Sequence, residues 1–181
     1  MQQLKPCVFF DRDGIVNVPP RGGARYIERP EDFVIIPEFL EALRLVNERG
    51  YEAVIATNQK GVGTGCIREE VLIEMHCKLY EALLEQHLRL LDIRVATTTD
   101  DAHPTRKPNP GLLLGAAEDH GLDLKRSWMI GDHARDVEAG RRAGCRTVFV
   151  GDHEVPGADF TVPSMAALVP FLRAHLVPVA G

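Results

Sequence analysis

Short apolar runs alternate with amphipathic helical patterns from one end of the sequence to the other. Six segments of three to five mostly apolar residues are predicted to be strands, at residues 8–10, 53–56, 93–97, 127–130, 146–150 and 159–162. A chain that alternates in this way favours a mainly parallel sheet with helices on both faces. We therefore expect a three-layer α/β protein with a Rossmann-like sheet and no large cap domain.

Length and composition are those of an ordinary folded domain. The 181 residues are 45% hydrophobic and 26% charged, which provides enough apolar material for a proper core. Neither a repeat nor a linker long enough to divide the chain is present, so residues 1–181 are expected to form a single domain. Residues 176–181 are expected to be a frayed tail.

Net charge and cysteine content limit the classes of binding partner and the cellular location that we expect for this protein. A formal charge of −5 disfavours nucleic acid, because no excess of lysine and arginine is available to displace counterions. No apolar run has the length of a membrane span or the form of a signal core. Cys7, Cys66, Cys77 and Cys145 form no Cys-x-x-Cys pair, so reduced thiols and a cytoplasmic protein without membrane contact are expected.

Two carboxylates follow the first predicted strand. Asp11 and Asp13 come directly after residues 8–10 and point to the same side if the strand geometry continues. Like charges this close are unfavourable unless a cation or a proton lies between them. Gly14 allows the main chain to turn sharply just after them. A solvated turn at the end of a strand is the alternative interpretation.

Polar residues also follow the other predicted strands. They are Thr57 and Asn58, then Arg106 and Lys107 just before a helix, and finally Asp132 and Asp136. Because parallel strands end at one edge of the sheet, all these groups can converge there. Carboxylate oxygens suit a hard cation such as Mg²⁺, whereas a hydroxyl, an amide and two cations suit phosphoryl oxygens. Two solvated cations in a loop are the alternative for Arg106 and Lys107.

The segment of residues 15–33 is punctuated by proline and glycine and is predicted to be a loop. It carries Arg21, Arg25 and Arg29. One interpretation is a solvated basic loop. The other is a flap over the end of the first strand, covering about residues 14–33, which supplies an arginine to an anionic substrate.

The set of motifs resembles the haloacid dehalogenase (HAD) superfamily of phosphatases. The Asp-x-Asp-Gly, the strand-terminal Thr57, the Lys107 and the Gly-Asp-x-x-x-Asp occur in the family's order over about residues 7–150. Thr57-Asn58-Gln59 and Arg106-Lys107-Pro108 resemble the small-capped branch, subclass IIIA, which contains the D-glycero-D-manno-heptose 1,7-bisphosphate and histidinol phosphatases.

The resemblance implies roles for the acidic residues. Asp11 would attack phosphorus and become an aspartyl phosphate. Asp13 would protonate the leaving oxygen and then deprotonate the hydrolytic water. Mg²⁺ would be held by Asp11, Asp132 and the main-chain carbonyl of Asp13, while Asp136 would support the site without ligating the metal directly.

The resemblance also implies how the phosphoryl group is bound. Thr57 and Lys107 would contact it, with Asn58 nearby and Arg106 facing the substrate. Lys107 would in addition offset the negative charge that opposes the approach of Asp11 to a dianion.

Two departures from the family pattern concern metal and substrate. The heptose and histidinol enzymes commonly carry a Cys/His zinc loop, but residues 97–105 contain His103 and no cysteine, so no structural zinc is predicted. His133 stands where relatives often have lysine.

The helical histidines His76 and His87 are interpreted as surface residues or as core residues with satisfied hydrogen bonds.

The main hypothesis is a Mg²⁺-dependent phosphomonoester hydrolase acting on a small phosphorylated metabolite, a sugar phosphate or bisphosphate such as heptose 1,7-bisphosphate. Alternative substrates are histidinol phosphate and the 3′-phosphate ends of polynucleotides, the latter disfavoured by charge. A phospho-accepting module of the receiver type uses similar residues. Its acceptor aspartate should end the third strand, however, and that strand leads here to Thr97-Thr98.

Overall fold

The computed structural model describes residues 4–20 and 22–179. The strands are β1 Cys7–Phe10, β2 Glu52–Asn58, β3 Asp92–Ala96, β4 Trp128–Gly131, β5 Arg146–Val150 and β6 Phe160–Val162. The helices are α1 Pro37–Glu48, α2 Lys60–Gly63, α3 Glu69–Glu85, α4 Gly111–His120, α5 Ala134–Ala143 and α6 Met165–His175. Short 3-10 turns lie at Pro30–Asp32 and Leu124–Arg126.

One parallel sheet contains all six strands in the order β3-β2-β1-β4-β5-β6. Phe9 in β1 pairs with Val54 on one side and with Met129 on the other. The chain first winds outward from β1 to β3 and then crosses to the opposite side of β1 to begin β4. This reversal of strand order opens a crevice at the carboxyl ends of the central strands, where α/β proteins bind ligands.

Side chains of successive strand residues point to opposite faces of the sheet and build two cores. Val8 and Phe10 pack with side chains of α1, α3 and α6 in the larger core. Cys7 and Phe9 pack with side chains of α4 and α5 in the smaller core. Because helices cover both faces, the central strands β1 and β4 are buried and apolar on both faces rather than alternating, which is why they appeared in the sequence as continuous apolar runs.

The predicted three-layer α/β fold is confirmed. In the described ranges, the longest connection spans residues 11–36 and holds only the turn at Pro30–Asp32, so no large cap domain is inserted there. The end of the chain differs from the frayed tail expected at residues 176–181. Leu176 is buried, and the Val179 N–H donates to the Arg49 carbonyl at 2.9 Å. Residues 180–181 lie outside the described ranges.

The structure also gives information on membrane-spanning helices and on the cysteines. Within residues 4–20 and 22–179, no helix combines the length and the apolarity needed to cross a bilayer. All four cysteines are free thiols, with Cys7 and Cys145 buried and Cys66 and Cys77 exposed.

Two helical glycines provide a matched test of how closely the helices pack. A Cβ on Gly140 in α5 would lie 2.6 Å from Met129 Cβ, whereas a Cβ on Gly115 in α4 would meet only Arg94 Nη1 at 4.0 Å. We expect Gly140→Ala to lower the free energy of unfolding by about 1–3 kcal/mol through overpacking. Gly115→Ala should raise it by about 0.5–1 kcal/mol, because alanine favours the helix. Urea unfolding measures both, and equal effects would contradict the close approach of α5 to the sheet.

Candidate active site

Polar side chains from distant parts of the chain meet at the carboxyl edge of the sheet. Asp11 directly follows β1 and Asp132 directly follows β4. Thr57 is the penultimate residue of β2. Lys107 comes from the loop before α4, and its Nζ lies 2.7 Å from Asp11 Oδ1 across 96 residues of sequence. The convergence predicted from the sequence is therefore present.

The ammonium group of Lys107 is fully enclosed at the centre of this edge. Its side chain is 0% exposed, and Nζ lies 2.7 Å from both Asp11 Oδ1 and Asp136 Oδ1. Nζ also donates to the Ala56 carbonyl at 2.7 Å. Three oxygens therefore lie 2.7 Å from the ammonium nitrogen, from the residue after β1, from β2 and from the first turn of α5.

The charges in this group shift one another's pKa values. Burial would lower the pKa of Lys107, but the attraction of Asp11 and Asp136 outweighs it and raises this pKa above its usual value. Burial raises the pKa of Asp11, and the Asp136 carboxylate adds to the rise while Lys107 opposes it. Two buried carboxylates thus share one lysine cation. A second cation beside Asp11 would stabilise its ionised form.

An acidic cluster is available for such a cation. Asp11, Asp132, His133 and Asp136 each offer a ligand atom within 4.8 Å of the others. Asp136 is engaged already, since Oδ1 contacts Lys107 and Oδ2 accepts from the His133 N–H at 3.1 Å. Among the residues that the structure describes, Asp11 and Asp132 use only Oδ1, in contacts of 2.7 Å with Lys107 Nζ and with His133 Nδ1, and each keeps Oδ2 available. Carboxylate oxygens in a site with excess negative charge fit a hard divalent cation such as Mg²⁺.

Gly14 is required beside this cluster. Its φ is +94°, a left-handed conformation that glycine adopts without strain. A Cβ at this position would also overlap the carboxylate of Asp132. The main chain that follows Asp13 can therefore approach Asp132 closely only if residue 14 has no side chain.

Four hydrogen bonds from three side chains hold the carboxylate of Asp13. Arg12 Nη2 donates to Oδ1 and Oδ2 at 3.0 and 3.1 Å, Asn17 Nδ2 donates to Oδ1 at 2.9 Å, and Gln59 Nε2 donates to Oδ2 at 3.1 Å. Burial alone would raise the pKa of Asp13. The Arg12 charge and the hydrogen bonds outweigh burial and lower this pKa below its usual value. Asp13 is thus held ionised in one orientation.

Thr57 and Asn58 use their polar atoms differently. The buried hydroxyl of Thr57 accepts from Gln59 Nε2 at 2.8 Å, which leaves its own proton free for another acceptor. Asn58 Nδ2 donates to the Lys107 carbonyl at 2.9 Å, and the Lys107 N–H donates to Asn58 Oδ1 at 3.0 Å. The Asn58 amide therefore fixes the main chain of Lys107 in this structure, a different contact from the phosphoryl group predicted for it.

Arg106 and the segment before it form a separate set of contacts. Arg106 Nε donates to Asp101 Oδ1 at 2.7 Å, and Nη1 donates to the Thr98 carbonyl at 3.3 Å. These contacts fix the direction of the guanidinium, which lines the same cavity as Asp13 and Asp132. In the same segment, His103 Nδ1 lies 2.9 Å from Thr105 Oγ1. That this segment binds no structural zinc stays a prediction.

A cavity of about 340 Å³ opens over these groups. Among the side chains that line it are Asp13, Asn58, Arg106, Asp132 and His133, together with the basic residues Arg25, Lys60 and Arg135. In the described part of the chain, neither Arg25 nor Arg135 forms a salt bridge. Of the other two loop arginines, Arg29 pairs with Asp32 at 2.8 Å, and Arg21 lies outside the described residues.

Sequence reasoning missed the residues that hold Asp13 and, in the cavity lining, Arg135. Arg12 stands between the two aspartates and Gln59 follows Thr57-Asn58, so their positions were available as signals. Arg135 lies inside the Gly-Asp-x-x-x-Asp motif, where only the two aspartates and His133 were singled out. Nothing in the spacing connected Asn17 with Asp13.

Comparisons with known proteins agree with this geometry. The family model described as HAD-hydrolase-like matches residues 104–162. The D-glycero-D-manno-heptose-1,7-bisphosphate 7-phosphatase of Thermosynechococcus vestitus is 34% identical over 198 residues, covering 96% of this chain and 98% of that protein. The D-glycero-beta-D-manno-heptose-1,7-bisphosphate 7-phosphatase of Rhodopseudomonas palustris is 35% identical over 178 residues, covering 94% of each chain.

Solved structures show the same architecture. The D,D-heptose 1,7-bisphosphate phosphatase of B. bronchiseptica, in complex with magnesium and phosphate, aligns with a TM-score of 0.83 at 26% identity, covering 93% of this chain and 98% of that chain. A HAD-like phosphatase from Mesorhizobium loti aligns with a TM-score of 0.81 at 30% identity, covering 96% and 87%. With relatives of this identity aligned over nearly its whole length, the chain belongs to the haloacid dehalogenase superfamily and is one of its phosphatases.

Proposed function

We propose that this phosphatase hydrolyses a sugar bisphosphate in a Mg²⁺-dependent reaction with Asp11 as the nucleophile. The observation that carries the assignment is the contact of Lys107 with Asp11. Lys107 engages Oδ1 of that carboxylate, whereas Oδ2 accepts no hydrogen bond from the described residues. An ionised carboxylate fixed through one oxygen by a buried cation presents its other oxygen to phosphorus.

The two half-reactions use Asp11 and Asp13 in turn. In the first, the negative charge of the bound phosphate raises the pKa of Asp13, so that Asp13 takes up a proton on substrate binding. Asp11 then attacks phosphorus, the bond between phosphorus and the leaving oxygen breaks, and Asp13 donates that proton to the oxygen. In the second, Asp13 removes a proton from water as the water oxygen attacks phosphorus. The bond to Asp11 then breaks, which releases inorganic phosphate and restores the carboxylate. The free hydroxyl proton of Thr57 is placed to donate to a phosphoryl oxygen.

The residues that follow β1 and β4 are suited to bind Mg²⁺. The carboxylates of Asp11 and Asp132, with the main-chain carbonyl of Asp13, would hold Mg²⁺. When bound, Mg²⁺ offsets the negative charge that the carboxylates and the phosphoryl group bring together. Asp136 supports this arrangement through Lys107 and the His133 N–H rather than as a ligand.

Unpaired positive charge around the cavity supports a substrate with a second phosphate. One phosphoryl group is already served by Thr57, Lys107 and the metal, yet Arg25 and Arg135 also line the cavity without carboxylate partners in the described ranges. Three of the proteins named above, from Thermosynechococcus vestitus, Rhodopseudomonas palustris and B. bronchiseptica, act by their names on heptose 1,7-bisphosphate. We assign Arg25 and Arg135 to the distal phosphate, with Arg106 facing the sugar between the two phosphates.

Residues 14–33 act in this proposal as a flap within one HAD-like domain. Pro19, Pro20, Arg25 and Tyr26 from this segment line the same cavity as the strand-end groups. The Arg25 guanidinium lies 5.8 Å over the Tyr26 ring, which limits its rotation. A bound substrate would therefore contact the flap on one side and the end of the sheet on the other.

Replacing the nucleophile tests the mechanism. Asp11→Asn should lower kcat by on the order of 10³-fold or more with any phosphomonoester, because an amide oxygen cannot form the acyl phosphate. Acid-quenched wild-type enzyme should carry radiolabelled phosphoryl from substrate, and the variant should carry none. Asp152→Asn, at a fully solvated carboxylate, serves as the control and should match wild type. Undiminished turnover by Asp11→Asn would exclude this nucleophile.

Removing divalent metal tests the cofactor assignment. Treatment with a chelator should abolish turnover, and Mg²⁺ should restore it. Adding Mg²⁺ to chelated enzyme should also raise the unfolding temperature, because a ligand that binds only the folded state stabilises it. Asp132→Asn should weaken this temperature shift. A shift of the same size in the variant would place the metal elsewhere.

The assignment of the distal phosphate is tested by a substrate pair. Arg135→Gln should raise KM for a sugar bisphosphate about tenfold, as expected for loss of one charge-assisted contact at a partly solvated site. The KM for the matching monophosphate should change less than about twofold. Arg173→Gln, on α6 and away from the cavity lining, is the matched control. Equal changes for both substrates, or wild-type preference for histidinol phosphate, would contradict the assignment.

A further inference from the structure

Several buried polar atoms belong to Asp13's hydrogen-bond partners Arg12 and Asn17 and to the nearby His76. Arg12 is 1% exposed and Asn17 is 0% exposed. Beyond its two contacts with Asp13, the Arg12 guanidinium packs 5.6 Å over the Phe33 ring. Arg12 Nε, Arg12 Nη1, Asn17 Oδ1 and His76 Nε2 are all buried, and none has a hydrogen-bond partner among the described residues.

The unpaired atoms are complementary in type. Arg12 Nε and Nη1 can only donate, and Asn17 Oδ1 can only accept. Burial, together with the adjacent Arg12 charge, lowers the pKa of His76 to about 4, so its ring is neutral and Nε2 can offer a lone pair. Buried polar groups without partners are strongly disfavoured. Arg12 and Asp13 are the charged neighbours that act on His76. Helix α3 packs against the 3-10 turn next to Phe33, so these donors and acceptors lie in one neighbourhood. A bridging water there would provide partners for both kinds of atom.

We propose that His76 is a positioning residue for the reaction, which anchors Arg12 and Asn17 through buried water and thereby fixes the carboxylate of Asp13. His76 and Asn17 provide acceptors for the two free nitrogens of Arg12, and Arg12 Nη2 and Asn17 Nδ2 then bond Asp13. The inference rests on the proposed role of Asp13 as acid and base. It assigns α3, which has no other residue in the site, a task in catalysis.

Loss of this anchor affects substrates according to their leaving groups. An alkoxide leaves a phosphoryl group only with a proton from the acid, whereas a nitrophenolate leaves without one. The ratio kcat/KM covers the steps up to departure of the leaving group. A misdirected Asp13 therefore lowers kcat/KM for a sugar phosphate and spares kcat/KM for nitrophenyl phosphate, even where the later hydrolysis of the phosphoenzyme slows.

The experiment compares His76→Leu, His76→Gln and Met75→Leu with wild type on these two substrates. His76→Leu removes the acceptor, His76→Gln keeps one, and Met75→Leu is an apolar change at the neighbouring buried position on α3. We expect His76→Leu to lower kcat/KM about tenfold for the sugar phosphate and less than about twofold for nitrophenyl phosphate. His76→Gln should recover most of the loss, and Met75→Leu should leave the ratio of the two substrates unchanged.

Other outcomes overturn the inference. Equal losses on both substrates in His76→Leu would mean that the residue only supports folding, and unchanged kinetics would mean that Arg12 needs no anchor. A loss in His76→Gln as large as in His76→Leu would exclude an acceptor role. Failure of the proposed function itself is recognised separately, because wild-type enzyme would then fail to hydrolyse nitrophenyl phosphate or Asp11→Asn would retain activity.

Discussion

The buried ammonium of Lys107 is the interaction on which the rest of the site depends. A lysine with no solvent contact stays charged only if oxygens surround it, and Asp11, Asp136 and the Ala56 carbonyl supply them. Removing one member of such a buried pair typically costs about 3–5 kcal/mol, since it leaves a charge uncompensated. The end of β1, the end of β2 and the start of α5 are therefore tied together by the same atom that serves the chemistry.

The order of the strands makes this tie possible. β1 is central, and its neighbours β2 and β4 bring the other acceptors to the same edge. Asn58 completes the arrangement because both polar atoms of its amide bond the main chain of Lys107, which comes from a loop and would otherwise be free to turn. The hydrogen bonds with the Asn58 side chain thus fix the main chain of Lys107. The ammonium group is thereby placed beside the two carboxylates, which neutralise its charge.

The sequence was sufficient for the sheet and for the reacting groups, but not for their supports. Strands buried on both faces leave a continuous apolar run, and parallel strands end at a common edge, so the meeting of Asp11, Lys107 and Asp132 followed from order alone. Which donors hold Asp13 did not follow. Arg12 is adjacent in sequence to both aspartates, so its pairing with Asp13 rather than Asp11 could not be predicted from its position. His76 reaches the same region from α3, and a helical pattern does not report which buried atoms lack partners.

The two halves of the site differ in how they are fixed, and this difference separates chemistry from specificity. Asp11, Thr57 and Lys107 are buried at strand ends or bonded to the main chain, so a change near any of them alters the core. Arg25 and Arg135 are exposed at the cavity, one on a loop and one in the first turn of α5. Side chains of this kind can be exchanged with little effect on folding. Substrate choice can therefore change among relatives while the group around Lys107 remains the same.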